Sequence, residues 1–130
     1  MTFWKSRRTG QSKKMGQTKV SLDGYSFASK LEASVYGILK LREKAGEIKI
    51  LQVQDHIYLT IARIGYIPDF KCLDLKTNEE FHVEAKGYPN DTWPLKKKLW
   101  KFYGPGRLEI WTGSHVNPAL TEVITPRGAE

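Results

Sequence analysis

The sequence predicts an α/β or α+β fold, a mixed β-sheet flanked by helices and preceded by a short β-hairpin. Three observations carry this. Two segments of helical periodicity, at residues 29–45 and 94–103, bracket a stretch in which β-branched and aromatic residues come in short runs. The order hairpin, helix, strands, helix, strand layers helices on a sheet. Finally, 130 residues with 40% hydrophobic and 12% aromatic content suffice for one core in one domain without disulfides.

Each element has its own signal. Val20 to Phe27 alternates around Asp23-Gly24, a pair that accepts the positive φ angles of a tight hairpin. Ser29 with Glu32 three residues on is a capping box, and Leu31, Val35, Ile38 and Leu41 follow at helical spacing until Ala45-Gly46. From Ile48 to Ile67 the short apolar runs read as strands. Tyr66 to Leu75 reads as another, Thr77-Asn78 as a turn, and Glu80 to Lys86 as the antiparallel partner. Pro94 suits a first helical turn, Leu95, Leu99, Phe102 and Tyr103 line one face, and Gly104-Pro105-Gly106 ends the helix. Arg107 to Trp111 makes a last strand. The expected division is a basic flexible arm at 1–18, a folded domain at 19–112 and a loose tail at 113–130.

Charge is distributed unevenly. The chain has 21 Lys and Arg against 14 Asp and Glu, a net charge of +7. Lys5, Arg7, Arg8, Lys13, Lys14 and Lys19 all precede the first acid, Asp23, so the remainder holds 15 bases against 14 acids. A phosphate-binding arm is one reading and a solubilising tail the other. Cys72, the only cysteine, excludes an internal disulfide or a multi-cysteine zinc cage and fits a reducing cytoplasm. No apolar run approaches the roughly 20 residues of a membrane span, so a soluble, cytoplasmic protein is expected.

Chemistry concentrates in Ile67-Pro68-Asp69-Phe70 and Val83-Glu84-Ala85-Lys86. Glu84 and Lys86, two apart on a strand, share a face, and pairing of the two strands would bring Asp69 beside them. Carboxylate oxygens are hard ligands suited to Mg2+ or Mn2+. Lys86 could orient a water or stabilise charge on a phosphate. Such a set fits phosphodiester hydrolysis, although Asp, Glu and Lys are also common on solvated strand faces.

Pro68-Asp69 followed by Glu84-Ala85-Lys86, with Glu32 on a preceding helix, resembles the PD-(D/E)xK nuclease superfamily. The run from Lys19 to Trp111 is similar to small phage-encoded members and Holliday-junction-resolvase-like proteins, through Gly24, Phe27, Ser29, Glu32, Ala33, Gly46-Glu47-Ile48, Gln54, Pro68-Asp69-Phe70 and Glu84-Ala85-Lys86-Gly87. The resemblance implies a restriction-endonuclease-like core. It also implies metal ligands at Asp69 and Glu84 with the Ala85 carbonyl, a catalytic lysine at Lys86, and Glu32 completing the metal shell directly or through water. Gln54 takes a supporting place near the site. Ala85 stands where Val or Ile is more usual, which removes packing volume but no ligand.

The implied activity is a Mg2+- or Mn2+-dependent endodeoxyribonuclease leaving a 5′-phosphate. Branched or four-way-junction DNA is the expected substrate and a homodimer the expected assembly, in phage recombination, replication or packaging within the host cytoplasm. A nicking or flap-cutting nuclease and a non-catalytic DNA-binding module are the alternatives. Lys13 and Lys14 of the arm, with Lys96, Lys97, Lys98 and Lys101 of the second helix, are the candidate phosphate contacts. Glu32 has a second reading as a helix cap alone, worth about 0.5–2 kcal/mol. Trp100 is expected in the core, while Trp93 and His82 stay open.

Overall fold

A computed structural model describes residues 19–127 of the chain. Its elements are β1 (Val20–Leu22), β2 (Tyr25–Phe27), α1 (Lys30–Lys44), β3 (Ile48–Val53), β4 (Ile57–Tyr58), β5 (Gly65–Tyr66), β6 (Phe70–Asp74), β7 (Glu79–Ala85), α2 (Trp93–Tyr103), β8 (Leu108–Ser114) and β9 (Asn117–Ile124). The fold is α+β. A mixed five-stranded sheet runs in the order β3-β6-β7-β8-β9, and two-stranded hairpins are formed by β1-β2 and β4-β5.

Local chemistry sets the boundaries. Asp23 (φ 54°) and Gly24 (φ 83°) both take the left-handed conformation that a two-residue hairpin with the natural strand twist requires. Ser29 caps α1, its Oγ accepting from the Glu32 N–H at 3.1 Å. The helix ends as Gly46 (φ 80°) lets the Glu47 N–H reach the Arg42 carbonyl and its own N–H reach Glu43, both at 3.0 Å. The buried face of α1 runs Leu31, Val35, Leu39 with Glu32 and Tyr36, and leaves Leu41 exposed. Sequence spacing had favoured Leu41. The i, i+4 row actually used tilts away from it because Tyr36 stacks on Phe70 and packs against Phe27.

The central strand β7 is covered on both faces. Phe81 and Val83 enter the core beneath α1 with Phe27, Phe70 and Cys72, whose thiol is pushed up to about 12 by burial. His82 and Glu84 point the other way, beside a second cluster built on Tyr66, Trp93, Trp100 and Leu108. Trp100 is fully buried and donates to the Gly106 carbonyl at 2.7 Å. A Cβ on Gly104 would stand 2.6 Å from Trp100 Nε1, so the tight exit from α2 admits glycine alone. Helix α2 is the crossover that lets β8 run parallel to β7, with Glu84 level with Ile110 and Ala85 with Trp111.

Two expectations change. The strand predicted over residues 66–75 is interrupted at Ile67-Pro68-Asp69, separating β5 from β6, because Pro68 has no N–H for a ladder and its carbonyl instead accepts from Asp55 at 3.2 Å. The expected loose tail at 113–130 instead extends β8 to Ser114 and supplies edge strand β9, so the folded domain runs past residue 112.

Candidate functional site

The register of β6 on β7 pairs Phe70 with Val83 and, continued by one residue, sets Asp69 opposite Glu84. Asp69 Oδ2 accepts from the Ala85 N–H at 2.8 Å, so this N–H is spent on a side chain at the end of the ladder. An extended residue turns its N–H and C=O to the same edge, so the Ala85 carbonyl faces the Asp69 side. The next N–H, from Lys86, bonds the Trp111 carbonyl of β8 at 2.9 Å.

Glu84 is buried, and both of its oxygens are held. Oε1 accepts from the Tyr66 hydroxyl at 2.7 Å, and Oε2 lies 3.1 Å from Lys86 Nζ. Lys86 in turn sits 4.6 Å over the Trp93 ring, which settles Trp93 as the floor beneath this ammonium. Glu32 divides its two oxygens between two environments. Oε1 accepts from the Ala28 N–H at 3.2 Å, one residue before the Ser29 N–H that a capping box would use, whereas Oε2 is buried without a hydrogen-bond partner. Burial raises Glu32, against the Ala28 N–H and the nearby Gln54 side chain, which favour its ionised form; Gln54 itself holds a left-handed backbone (φ 59°) while its N–H donates to the Asp69 carbonyl at 2.7 Å.

Glu32, Asp69, Glu84, Ala85 and Lys86 thus line one cleft of about 410 Å³. Three carboxylates line it with two ammoniums, the half-buried Lys86 and the exposed Lys30, a formal excess of one negative charge. The protonation equilibria register the excess. Burial raises Glu32, Asp69 and Glu84 above the ordinary carboxylate range, and for Asp69 the repulsion of Glu84 and then of Glu32 adds to it. Among the described residues, no three His, Cys, Asp or Glu side chains close tightly enough to hold an ion by themselves.

The basic residues are placed less uniformly. Lys96 Nζ donates to the Gly65 carbonyl at 2.7 Å and Lys97 pairs with Glu122 at 2.9 Å, while Lys98 and Lys101 are exposed along α2. Lys13 and Lys14 lie outside the described residues. His82 is buried with Nε2 2.9 Å from Asp55 Oδ2 and its ring edge-on to Trp100, which separates it from the cleft lining despite the face it shares with Glu84.

His115 is exposed on the β8-β9 turn, where it lines the cleft, and the Ser34 hydroxyl ties that turn to α1 through the His115 carbonyl at 2.6 Å. Sequence reasoning missed one contributor. Tyr66 was one aromatic among many in a strand-rich stretch, and only the tertiary fold brings its hydroxyl to Glu84. Tyr66→Phe keeps the ring packed on Trp93 and Trp100 and removes only that hydrogen bond. If Glu84 is a metal ligand, its activity should fall about 10- to 100-fold, the usual effect of removing a group that orients a ligand, with melting little changed. Unaltered turnover would show that Tyr66 serves packing only.

Among curated proteins none matches this chain. Residues 12–111, a span reaching from the basic arm through the cleft to β8, match the model of the family described as Protein of unknown function (DUF1064), and the chain belongs to that family.

Proposed function

We propose that this protein is a divalent-metal-dependent endodeoxyribonuclease, as its resemblance to the PD-(D/E)xK superfamily implies. The observation that carries the reading is the crowding of carboxylates in the cleft: three of them beside Lys86 and the exposed Lys30, a formal excess of one negative charge, with Glu32 Oε2 buried and without a hydrogen-bond partner. A divalent cation would relieve the repulsion among them. The donor set fits Mg2+ or Mn2+, which bind through one or two carboxylates and keep several waters. Asp69 and Glu84 would hold it with the Ala85 carbonyl, and Glu32 would complete the shell directly or through water. When bound, the ion would supply Lewis acidity to the phosphate and a more acidic water.

The chain's own residues do the rest. Asp69 is fixed by the Ala85 N–H and Glu84 by Tyr66, so neither carboxylate must reorganise when a phosphodiester arrives. Lys86, an ammonium with three donors propped on Trp93, can contact a non-bridging phosphate oxygen and orient the attacking water for in-line displacement. The product would carry a 5′-phosphate. Lys98 and Lys101, exposed on α2, and the basic arm would engage backbone phosphates without reading sequence.

Branched DNA is the proposed substrate and a homodimer the proposed assembly, since one copy offers one cleft and a four-way junction needs two cuts. The test is incubation with Mg2+ and linear, flapped, single-stranded and four-way-junction DNA. Cleavage of the junction alone is the expected result. Equal cleavage of all four would overturn the branched-substrate assignment and keep the nuclease, and no cleavage with either Mg2+ or Mn2+ would favour a DNA-binding module.

A further inference from the structure

Between Gln54 and Asp69 the chain leaves the sheet and returns. The root is closed by Gln54 N–H to Asp69 C=O at 2.7 Å and Asp55 N–H to Pro68 C=O at 3.2 Å. Above it Ile57 pairs with Tyr66 and Tyr58 with Gly65, and the turn 60–63 is closed by Arg63 N–H to Thr60 C=O at 2.8 Å. Three side-chain contacts fasten this segment to the body: Asp55 to His82 at its root, Tyr66 to Glu84, and Lys96 to the Gly65 carbonyl. Between root and tip Leu59 is buried in the second cluster, so the part that stands clear of the body is the tip around Ile61.

What projects is apolar and carries no negative charge. Ile61 is fully exposed at 102% and Tyr58 at 62%, with Ile64 and Ile67 also exposed. Residues 56–68 contain no Asp or Glu and one cation, Arg63. Arg63 holds a left-handed backbone (φ 63°), unusual for a residue with a side chain, and its guanidinium lies 4.5 Å over the Tyr58 ring. Beside the hairpin, Tyr58, Ile67 and Lys96 line a hollow of about 330 Å³.

We propose that the β4-β5 hairpin is a DNA wedge: Ile61 enters the base stack near the phosphate held in the cleft, and Arg63 on Tyr58 forms a flat platform for the base it displaces. The proposal rests on the nuclease reading and names how that site would select its substrate. Apolar wedges unstack base steps, and aromatic and guanidinium planes receive unstacked bases of any sequence. A second copy of this chain is the other occupant for an apolar tip. DNA is favoured because both ends of the hairpin are tied to cleft carboxylates, Gln54 through its backbone bond to Asp69 and Tyr66 through its hydroxyl to Glu84, and because its one charged projecting side chain is a cation.

The experiment uses the full chain in EDTA with four-way-junction DNA carrying 2-aminopurine at the branch point, and parallel cleavage assays in Mg2+. Wild type should raise the fluorescence on binding. Ile61→Ser, a change at a fully exposed position, should reduce that rise at least fivefold at saturating protein. Arg63→Gly relieves the left-handed backbone, so melting should not fall, yet junction affinity should drop about tenfold, within the range of one lost stacking contact. Cleavage by wild type with no fluorescence rise would overturn the wedge and leave the nuclease standing. Neither binding nor cleavage by wild type would overturn both. A dimeric wild type and a monomeric Ile61→Ser with equal fluorescence would assign the hairpin to contact between copies and overturn the proposal.

Discussion

Asp69→Asn and Glu84→Gln should each reduce Mg2+-dependent cleavage by about 10²–10³-fold or more, the scale on which a preorganised electrostatic group acts in a water-poor site. DNA binding should persist or tighten, because each change removes a negative charge facing phosphate. Near-normal cleavage by either variant would refute the site. Asp69→Asn also carries a stability signature in the metal-free protein. Asp69 lies well above its ordinary value because it is buried and faces Glu84 and Glu32. The folded chain therefore binds more protons than the unfolded chain between the two values, and its stability falls as pH rises from about 4 through the raised value. Asparagine removes that loss, so Tm at neutral pH should rise and the decline with pH should flatten. Glu32 and Glu84 are raised by burial too and lie beside Asp69, so the difference between the two melting profiles reports the repulsion among the three carboxylates, whereas His82, lowered by burial, changes stability in both proteins alike. Identical profiles would mean that the repulsion is absent.

Glu32→Gln should reduce cleavage by one to two orders of magnitude, the usual scale for a group acting on a metal through water, and leave melting unchanged or slightly higher. The reason lies in the division of labour between its oxygens. The amide Oε1 can still accept from the Ala28 N–H, so the helix start stays tied. The amide nitrogen replaces the buried, unpartnered Oε2, removing one of three charges from the cleft. Glu32→Ala differs: the Ser29 cap survives, because it binds the backbone N–H of residue 32, but the hydrogen bond from Ala28 is lost, at a cost of about 0.5–1.5 kcal/mol. If glutamine keeps full activity while alanine only melts earlier, Glu32 ties the helix start and does nothing more.

Much of this was legible where a residue type has one physical use. Asp23-Gly24 announces a hairpin, Ser29 with Glu32 a helix start, Gly46 a helix end, and Pro94 a first turn. The hidden parts depend on contacts distant in sequence. Asn117-Pro118 reads as a loop because proline cannot donate to a ladder, but at the edge of a sheet that donor is dispensable, and β9 forms there on β8. The cleft was readable in Asp69, Glu84 and Lys86 through strand alternation. Tyr66 was not, since a tyrosine in a strand is ordinarily core, and nothing in its neighbourhood marks the direction of its hydroxyl. The two roles of Glu32 were readable as alternatives, whereas the structure assigns a separate oxygen to the helix start.

The closure at the root of the β4-β5 hairpin separates inheritance of chemistry from inheritance of preference. Because Gln54 and Asp69 are joined by their own backbone hydrogen bond and Tyr66 anchors the returning strand, the segment from Leu59 to Ile64 bears on neither carboxylate. Chain length there is thermodynamically cheap: doubling a loop costs only about 0.6 kcal/mol in closure entropy. Insertions, deletions or grafts at residues 60–63 would leave the cleft carboxylates undisturbed, which makes the tip an exchangeable cassette on which new binding preferences could be selected.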